Sequence, residues 1–219
     1  MNPTIQSALA DHERCAAALA QQQGLLVRIA RRTSRAFRAG KRLYLAGNGG
    51  SAADAQHVAA ELVGRLRRER AALPAVALTT DTSALTAVAN DYGYERVFAR
   101  QIEAHVRRGD VVWLFSTSGR SANILAAAAV ARRLGAIVVG FTGSDGGALK
   151  PLCEHCLSVP HESSDRIQEI HQVAYHILCD LIEQAMTPKP TPARRARRCA
   201  RRAEIDRAAR PSGTVRRRR

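Results

Sequence analysis

Residues 110–143 read DVVWLFSTSGRSANILAAAAVARRLGAIVVGFTG. Val111–Phe115 is a continuous apolar run rather than an alternating one, the mark of a strand buried on both faces. A turn rich in hydroxyls follows, then residues 121–134 with helical character, then a second continuous run at Ile137–Phe141. A strand, a helix and a second buried strand in this order predict parallel neighbours in one sheet.

The same unit recurs on both sides. Apolar runs lie at Leu43–Ala46, Ala75–Leu78 and Cys156–Val159, and helical candidates fall near 51–66, 82–90 with 95–108, and 145–152. Strands alternating with helices predict an α/β domain with a mainly parallel sheet. Before them, Ile5 to Ala39 is helical throughout, with Leu19, Leu25, Leu26, Ile29 and Phe37 at three- and four-residue steps. After them, a helix from about Arg166 to Met186 carries a broad apolar stripe through Ile167, Ile170, Val173, Ile177, Leu178, Leu181 and Ile182. It either docks on the sheet or packs with the first helix in an oligomer.

Composition bounds the rest. The chain has 219 residues, 46% hydrophobic and 24% charged, enough for one sizeable core and a tail. The longest stretch without a charged side chain, Cys15 to Val27, falls short of the roughly 18 apolar residues of a spanning helix. The opening residues lack a basic segment followed by an apolar one, so no secretion signal is read and a cytoplasmic protein is expected. The net charge of +15 suggests a nucleic-acid partner until it is located. Residues 187–219 hold 13 Lys and Arg against two acids, leaving only +4 for residues 1–186. Prolines in TPKPTP end the helical pattern, so 1–186 reads as a single domain and 187–219 as a basic, Arg-rich disordered tail. No aromatic residue follows Tyr175 to stack on bases, so the tail reads as a solvated extension rather than a sequence-specific nucleic-acid module. Five cysteines (15, 153, 156, 179, 199) suggest no disulfide framework. Cys153-Glu-His-Cys156 has the spacing of half a zinc or redox site, but no second pair matches it and a structural role is expected.

Four constellations are suited to chemistry. Leu45-Ala-Gly-Asn-Gly-Gly-Ser51 ends the first strand and opens a helix. Ligands of open parallel sheets bind beyond the carboxyl ends of the strands, where glycines admit an anion to backbone N–H groups. Asn48, Gly49, Gly50 and Ser51 are therefore ligand candidates. Phe115-Ser-Thr-Ser-Gly-Arg-Ser121 repeats the arrangement after the third strand. Ser116, Thr117, Ser118 and Ser121 can hold a phosphate monoester beside a helix start without a lysine clamp. His57 and Glu61 stand one turn apart on one helix face, as a surface pair or as two ligands of one metal ion. Gln168, His171 and His176 on the last helix are a second candidate set. Asn90-Asp91 reads either as an Asx turn or as a donor–acceptor pair for sugar hydroxyls.

These motifs, GNGGSAADAQHVAAEL, LTAVANDYGYERVFARQ, GDVVWLFSTSGRSANIL, GFTGSDGG and DRIQEIHQVAYHILCDLIE, resemble those of the bacterial sedoheptulose 7-phosphate (phosphoheptose) isomerases, members of the sugar isomerase (SIS) domain fold. The resemblance covers about residues 1–186. It implies a five-stranded, flavodoxin-like parallel sheet sandwiched by helices, with the N- and C-terminal helices in the core of a homotetramer whose active sites lie between subunits. It also implies one zinc ion per subunit on His57, Glu61, Gln168 and His176. Substrate contacts would fall at Asn48, Gly49, Gly50, Ser51, Glu61, Asn90, Asp91, Ser116, Thr117, Ser118, Ser121 and Gln168, with Glu61 and His176 as the acid/base pair. The implied reaction converts sedoheptulose 7-phosphate to D-glycero-D-manno-heptose 7-phosphate through an enediol(ate), toward activated heptoses for surface polysaccharide. Ketose–aldose exchange needs a base near C1 and C2, an acid for the oxygens and stabilisation of developing charge, which suits these residue types. Two alternatives share the fold: a non-catalytic adaptor that binds the DNA replication initiator, and a sugar-phosphate-sensing regulator. Retention of His57, Glu61, Gln168 and His176 argues against the first, and the lack of a spare helix-turn-helix segment against the second.

Overall fold

The computed structural model describes residues 2–188. The expectation of a disordered tail, and Cys199 with it, falls outside the described residues. Met1–Thr187 form one compact unit.

Chain order is α1 (Pro3–Ala20), α2 (Gln23–Arg38), β1 (Leu43–Gly47), α3 (Gly50–Val63), β2 (Ala75–Ala77), α4 (Thr82–Tyr92), α5 (Val97–His105), β3 (Val111–Ser116), α6 (Ala122–Arg133), β4 (Ile137–Thr142), β5 (His155–Ser158) and α7 (Ser164–Met186). The five strands form one all-parallel sheet in the order β2-β1-β3-β4-β5. Every residue of β1, β3 and β4 is buried, as the continuous apolar runs require of central strands covered on both sides. The edge strands β2 and β5 are short and partly exposed.

Strand side chains alternate between two cores. Leu43, Leu45, Val111, Trp113, Phe115, Val139 and Phe141 meet α1, α2, α3 and α7 on one face. Tyr44, Ala46, Val112, Leu114 and Val138 meet α5 and α6 on the other, with Leu85 and Val88 of α4 packed against them. The open choice for the last helix is resolved by burial. Ile167, Ile170, Ala174, Leu178 and Ile182 of α7 all lie in the first core, so the helix docks on the sheet. Burying each large side chain contributes roughly 1.5–3 kcal/mol before chain entropy is counted, which makes α7 integral to the fold.

Two expectations are corrected. The single helical pattern over Ile5–Ala39 is broken at Gln21–Gln22 into α1 and α2. The Gln21 N–H bonds back to Ala18 O, and the Gln22 side chain donates to Ser158 O (2.8 Å), tying the break to the end of β5. The helical candidate near 145–152 is a 3-10 helix, Gly147–Leu152, because Pro151 has no N–H to continue an α-helical ladder.

Candidate active site

In the order β2-β1-β3-β4-β5 the connections leave β1 and β3 in opposite directions, and the crevice beyond their carboxyl ends is where such sheets bind ligands. Both loops singled out in the sequence lie there. After β1, Asn48 is locked by a reciprocal amide pair with Asn123 of α6 (2.9 and 2.8 Å), and its Oδ1 also accepts from the Tyr94 hydroxyl (3.1 Å). Gly49 caps α3, Gly50 opens it and Ser51 is buried. A Cβ on residue 50 would stand 2.6 Å from Gln168 Oε1, so glycine there lets the α7 carboxamide reach the loop.

Two and three turns into α3, His57 and Glu61 face His176 of α7. Their ligand atoms and one from His176 all lie within 4.8 Å of one another. His57 Nε2 is 3.3 Å from Glu61 Oε1, and the His57 and His176 rings meet edge to face at 4.9 Å. Two imidazoles and a carboxylate at this spacing fit a divalent metal ion. Burial, with His57 beside it, lowers the His176 pKa against the pull of Glu61, which keeps a nitrogen lone pair free to ligate. Gln168 and His57 line the same open cavity of about 420 Å³ beside this cluster.

The second loop joins β3 to α6. Ser116 and Ser121 share a hydrogen bond (3.1 Å), Thr117 pairs with Ser164 at the start of α7 (3.1 Å), and Ser118 accepts from the Arg120 N–H (3.1 Å). Thr117, Ser118, Arg120, Ser144 and Ser164 line a polar cavity of about 380 Å³. Gly119 at φ +60° makes the turn possible, and a Cβ there would lie 2.3 Å from Gly146 O. Gly119→Ala is expected to cost at least about 1–2 kcal/mol and to raise KM for a phosphorylated substrate. Urea unfolding with steady-state kinetics checks this, and wild-type values in both would contradict it.

Three candidate residues stand apart from these two groups within the chain. His171 is fully buried, bonds Thr142 O through Nε2 (3.1 Å), and burial drives its pKa down to about 4. It belongs to the core and is no ligand of the His57 cluster. Asn90 and Asp91 sit in the last turn of α4, exposed and bonded to each other (2.8 Å), not in an Asx turn. Within this chain no side-chain hydrogen bond among the described residues ties them to either loop.

The structure adds residues that the reading missed. The buried Tyr175 hydroxyl meets His57 Nδ1 at 3.0 Å, which leaves Nε2 for the cluster. Asp54 lies one turn before His57; burial pushes its carboxyl up to about 6, opposed by Tyr175 and His57, and its Oδ2 is buried without a partner. Positions 54, 57 and 61 share a helix face, so spacing carried a signal for Asp54. Nothing local marked Tyr175 or Asn123.

Comparison with known proteins shows the family. The family model described as "SIS domain" matches residues 10–143. The phosphoheptose isomerase of Roseiflexus sp. (strain RS-1) is 56% identical over 165 residues, 75% of this chain and 84% of the relative. That of Bradyrhizobium sp. (strain BTAi1 / ATCC BAA-1182) is 50% identical over 185 residues, 83% and 93% of the two chains. The solved phosphoheptose isomerase from Neisseria gonorrhoeae superposes with a TM-score of 0.78 at 39% identity, covering 83% of this chain and 97% of that one. With the sheet order, the two loops and this similarity together, the chain belongs to the phosphoheptose isomerases of the SIS-domain family and is an aldose–ketose isomerase acting on a sugar phosphate.

Proposed function

We propose that the protein converts sedoheptulose 7-phosphate to D-glycero-D-manno-heptose 7-phosphate with the help of zinc. The observation that carries this reading is the His57–Glu61–His176 cluster, its ligand atoms within 4.8 Å, beside the glycine loop. Gln168 completes the proposed ligand set with an acceptor oxygen. When bound, zinc supplies Lewis-acid polarisation of the carbonyl and neutralises charge developing on the substrate oxygens.

The chain's own residues divide the remaining work. Glu61 takes the proton from one carbon and returns it to the other. Its Oε1 faces His57 and leaves Oε2 to carry that proton. His176 exchanges protons with the substrate oxygens. The phosphate lies remote from the proton transfer, so Ser116, Thr117, Ser118 and Ser121, aided by the α6 N-terminus, contribute binding and positioning. Asn48, Gly49, Gly50, Ser51 and Gln168 bound the sugar chain near C1 and C2. Asn90 and Asp91 stand exposed within one chain, and we assign them to sugar hydroxyls in a site completed by assembly.

A homotetramer provides that assembly. Val173, Ile177 and Leu181 of α7 with Leu19, Leu26 and Val27 line an apolar groove of about 380 Å³ on the outer face of the terminal helices, which supports burial against further copies. We assign residues 1–186 as the catalytic domain, a cytoplasmic location and a place at the first step toward activated heptoses for surface polysaccharide. No helix among the described residues is long and apolar enough to cross a membrane.

Dialysis against a chelator is expected to lower kcat by at least about 10²-fold, with zinc restoring it. Full activity in protein verified metal-free would refute the metal's role. Deleting residues 188–219 is expected to leave kcat and KM within twofold of the full chain, about the scatter of context effects. Loss of activity would show that the arginine-rich segment belongs to the catalytic unit.

A further inference from the structure

Isomerisation leaves Cys153 and Cys156 unused. Cys153 follows the 3-10 helix Gly147–Leu152, and Cys156 lies in the edge strand β5 directly opposite Gly140 of β4. Gly140 interrupts a fully buried strand, IVVGFT, whose other residues suit a sheet. Glycine inside a strand weakens it and marks a close approach. Here the approaching atoms are sulfurs. A Cβ on residue 140 would stand 2.8 Å from Cys153 Sγ and 3.3 Å from Cys156 Sγ, so both thiols crowd into the space that a side chain would fill.

The two are also chemically unequal. The neighbouring Cys153 side chain is the main reason the Cys156 pKa is lowered, to about 6, against the cost of burial. The Thr142 hydroxyl, 3.4 Å away, the Ser158 hydroxyl and the Lys150 charge act in the same direction. The neighbouring Cys156 and burial raise the Cys153 pKa and keep that thiol protonated. Both side chains are half-buried at the sheet edge, whereas Cys15 and Cys179 are buried and have raised pKa values. A thiolate beside a protonated partner is the arrangement that thiol–disulfide exchange uses.

We propose that Cys153 and Cys156 form a reversible dithiol–disulfide site that reacts with low-molecular-weight disulfides. The Cys156 thiolate attacks one sulfur of the small disulfide, whose S–S bond breaks and releases one thiolate, protonated by solvent. Cys153 then loses its proton to solvent and attacks Cys156 Sγ in the mixed disulfide, releasing the second small thiol. Two electrons pass from the protein pair to the small disulfide, yielding one intramolecular disulfide and two small thiols. The site stands next to the substrate loop without being part of it. Cys153 Sγ lies 3.3 Å from Leu149 O, and Leu149 N–H donates to Gly119 O (3.0 Å). This structural reading of the pair does not depend on the identity of the sugar.

The test uses the full chain, equilibrated with oxidised glutathione, quenched with N-ethylmaleimide and digested with trypsin. Residues 134–166 come out as one peptide containing only these two cysteines, since Lys150 precedes proline. The expected result is an unalkylated peptide about 2 Da lighter than the dithiol, restored by dithiothreitol, with Cys15 and Cys179 still reduced. Cys153→Ser is expected to trap a stable glutathione adduct on Cys156, and Cys156→Ser to leave Cys153 unmodified. A wild-type peptide that keeps two alkylated thiols, or stops at one stable adduct, would overturn the proposal. The wild-type mass decides the matter even where a variant fails to fold.

Discussion

Replacing Glu61 by Gln is expected to lower kcat by about 10²–10⁴-fold, the range contributed by a positioned base. The amide keeps the shape of the side chain and an oxygen acceptor toward His57 but cannot take a proton from carbon. The folded state should tolerate the change. Glu61 is partly exposed and, among the described residues, its carboxylate pairs only with His57, at 3.3 Å, so the unfolding midpoint should move little. Because Glu61 also stands in the proposed ligand set, bound metal must be measured on the same sample. A Glu61→Gln protein that retains metal, folds, and turns over within tenfold of wild type would remove Glu61 from the role of base, since a tenfold loss is only about 1.4 kcal/mol.

The second large effect concerns stability. Glu183 near the end of α7 is fully buried and accepts from the backbone N–H groups of Leu66, Arg67 and Arg68 (2.8, 3.0 and 2.9 Å). Its Oε1 lies 3.4 Å from Nη2 of Arg70, whose side chain is 1% exposed. Arg70 in turn donates to the carbonyls of Glu61, Leu62 and Gly64 (2.8, 2.8 and 3.0 Å), so the pair anchors the end of the helix that carries His57 and Glu61. Glu183→Ala would leave three N–H groups without an acceptor and a buried guanidinium without its counter-charge. A loss of about 3–5 kcal/mol is expected, or about 6–20 °C in Tm for a domain of this size. A shift under 3 °C would contradict the anchoring role, since about 2–4 °C corresponds to only 1 kcal/mol.

The same carboxylate predicts a pH dependence. Burial opposes its charge, but the three N–H donors and Arg70 outweigh burial and hold its pKa below the ordinary 4.5. A depressed folded pKa means that its stabilisation is fully present above the unfolded value and is lost as pH falls through the folded one. Wild-type Tm should therefore fall as pH drops below about 4.5, and Glu183→Gln should flatten that part of the profile. Parallel profiles for the two proteins would contradict this assignment.

Particular residues show how much was legible beforehand. Val111–Phe115 and Ile137–Phe141 announced central strands because a strand covered on both faces has no position for a polar side chain. The break at Gln21–Gln22 was hidden, since three consecutive glutamines suit a helix as well as its end and the deciding partner, Ser158 O, is remote in sequence. His57 and Glu61 were readable from spacing on one helix. His171 is a ligand candidate by residue type alone, but it lies within the Ile167–Ile170–Ala174–Leu178 stripe, which turns it toward the sheet. The Tyr175–His57 and Asn48–Asn123 bonds span 118 and 75 residues, and no local pattern encodes such pairings.

The most direct measurement follows zinc-supplemented full-length protein with sedoheptulose 7-phosphate in heavy water by proton NMR. Proton transfer through an enediol(ate) predicts a new aldose-phosphate anomeric signal, absent with Glu61→Gln, and its splitting will show whether C2 takes up solvent deuterium. No new aldose signal from a folded, zinc-loaded protein would contradict the proposed isomerisation.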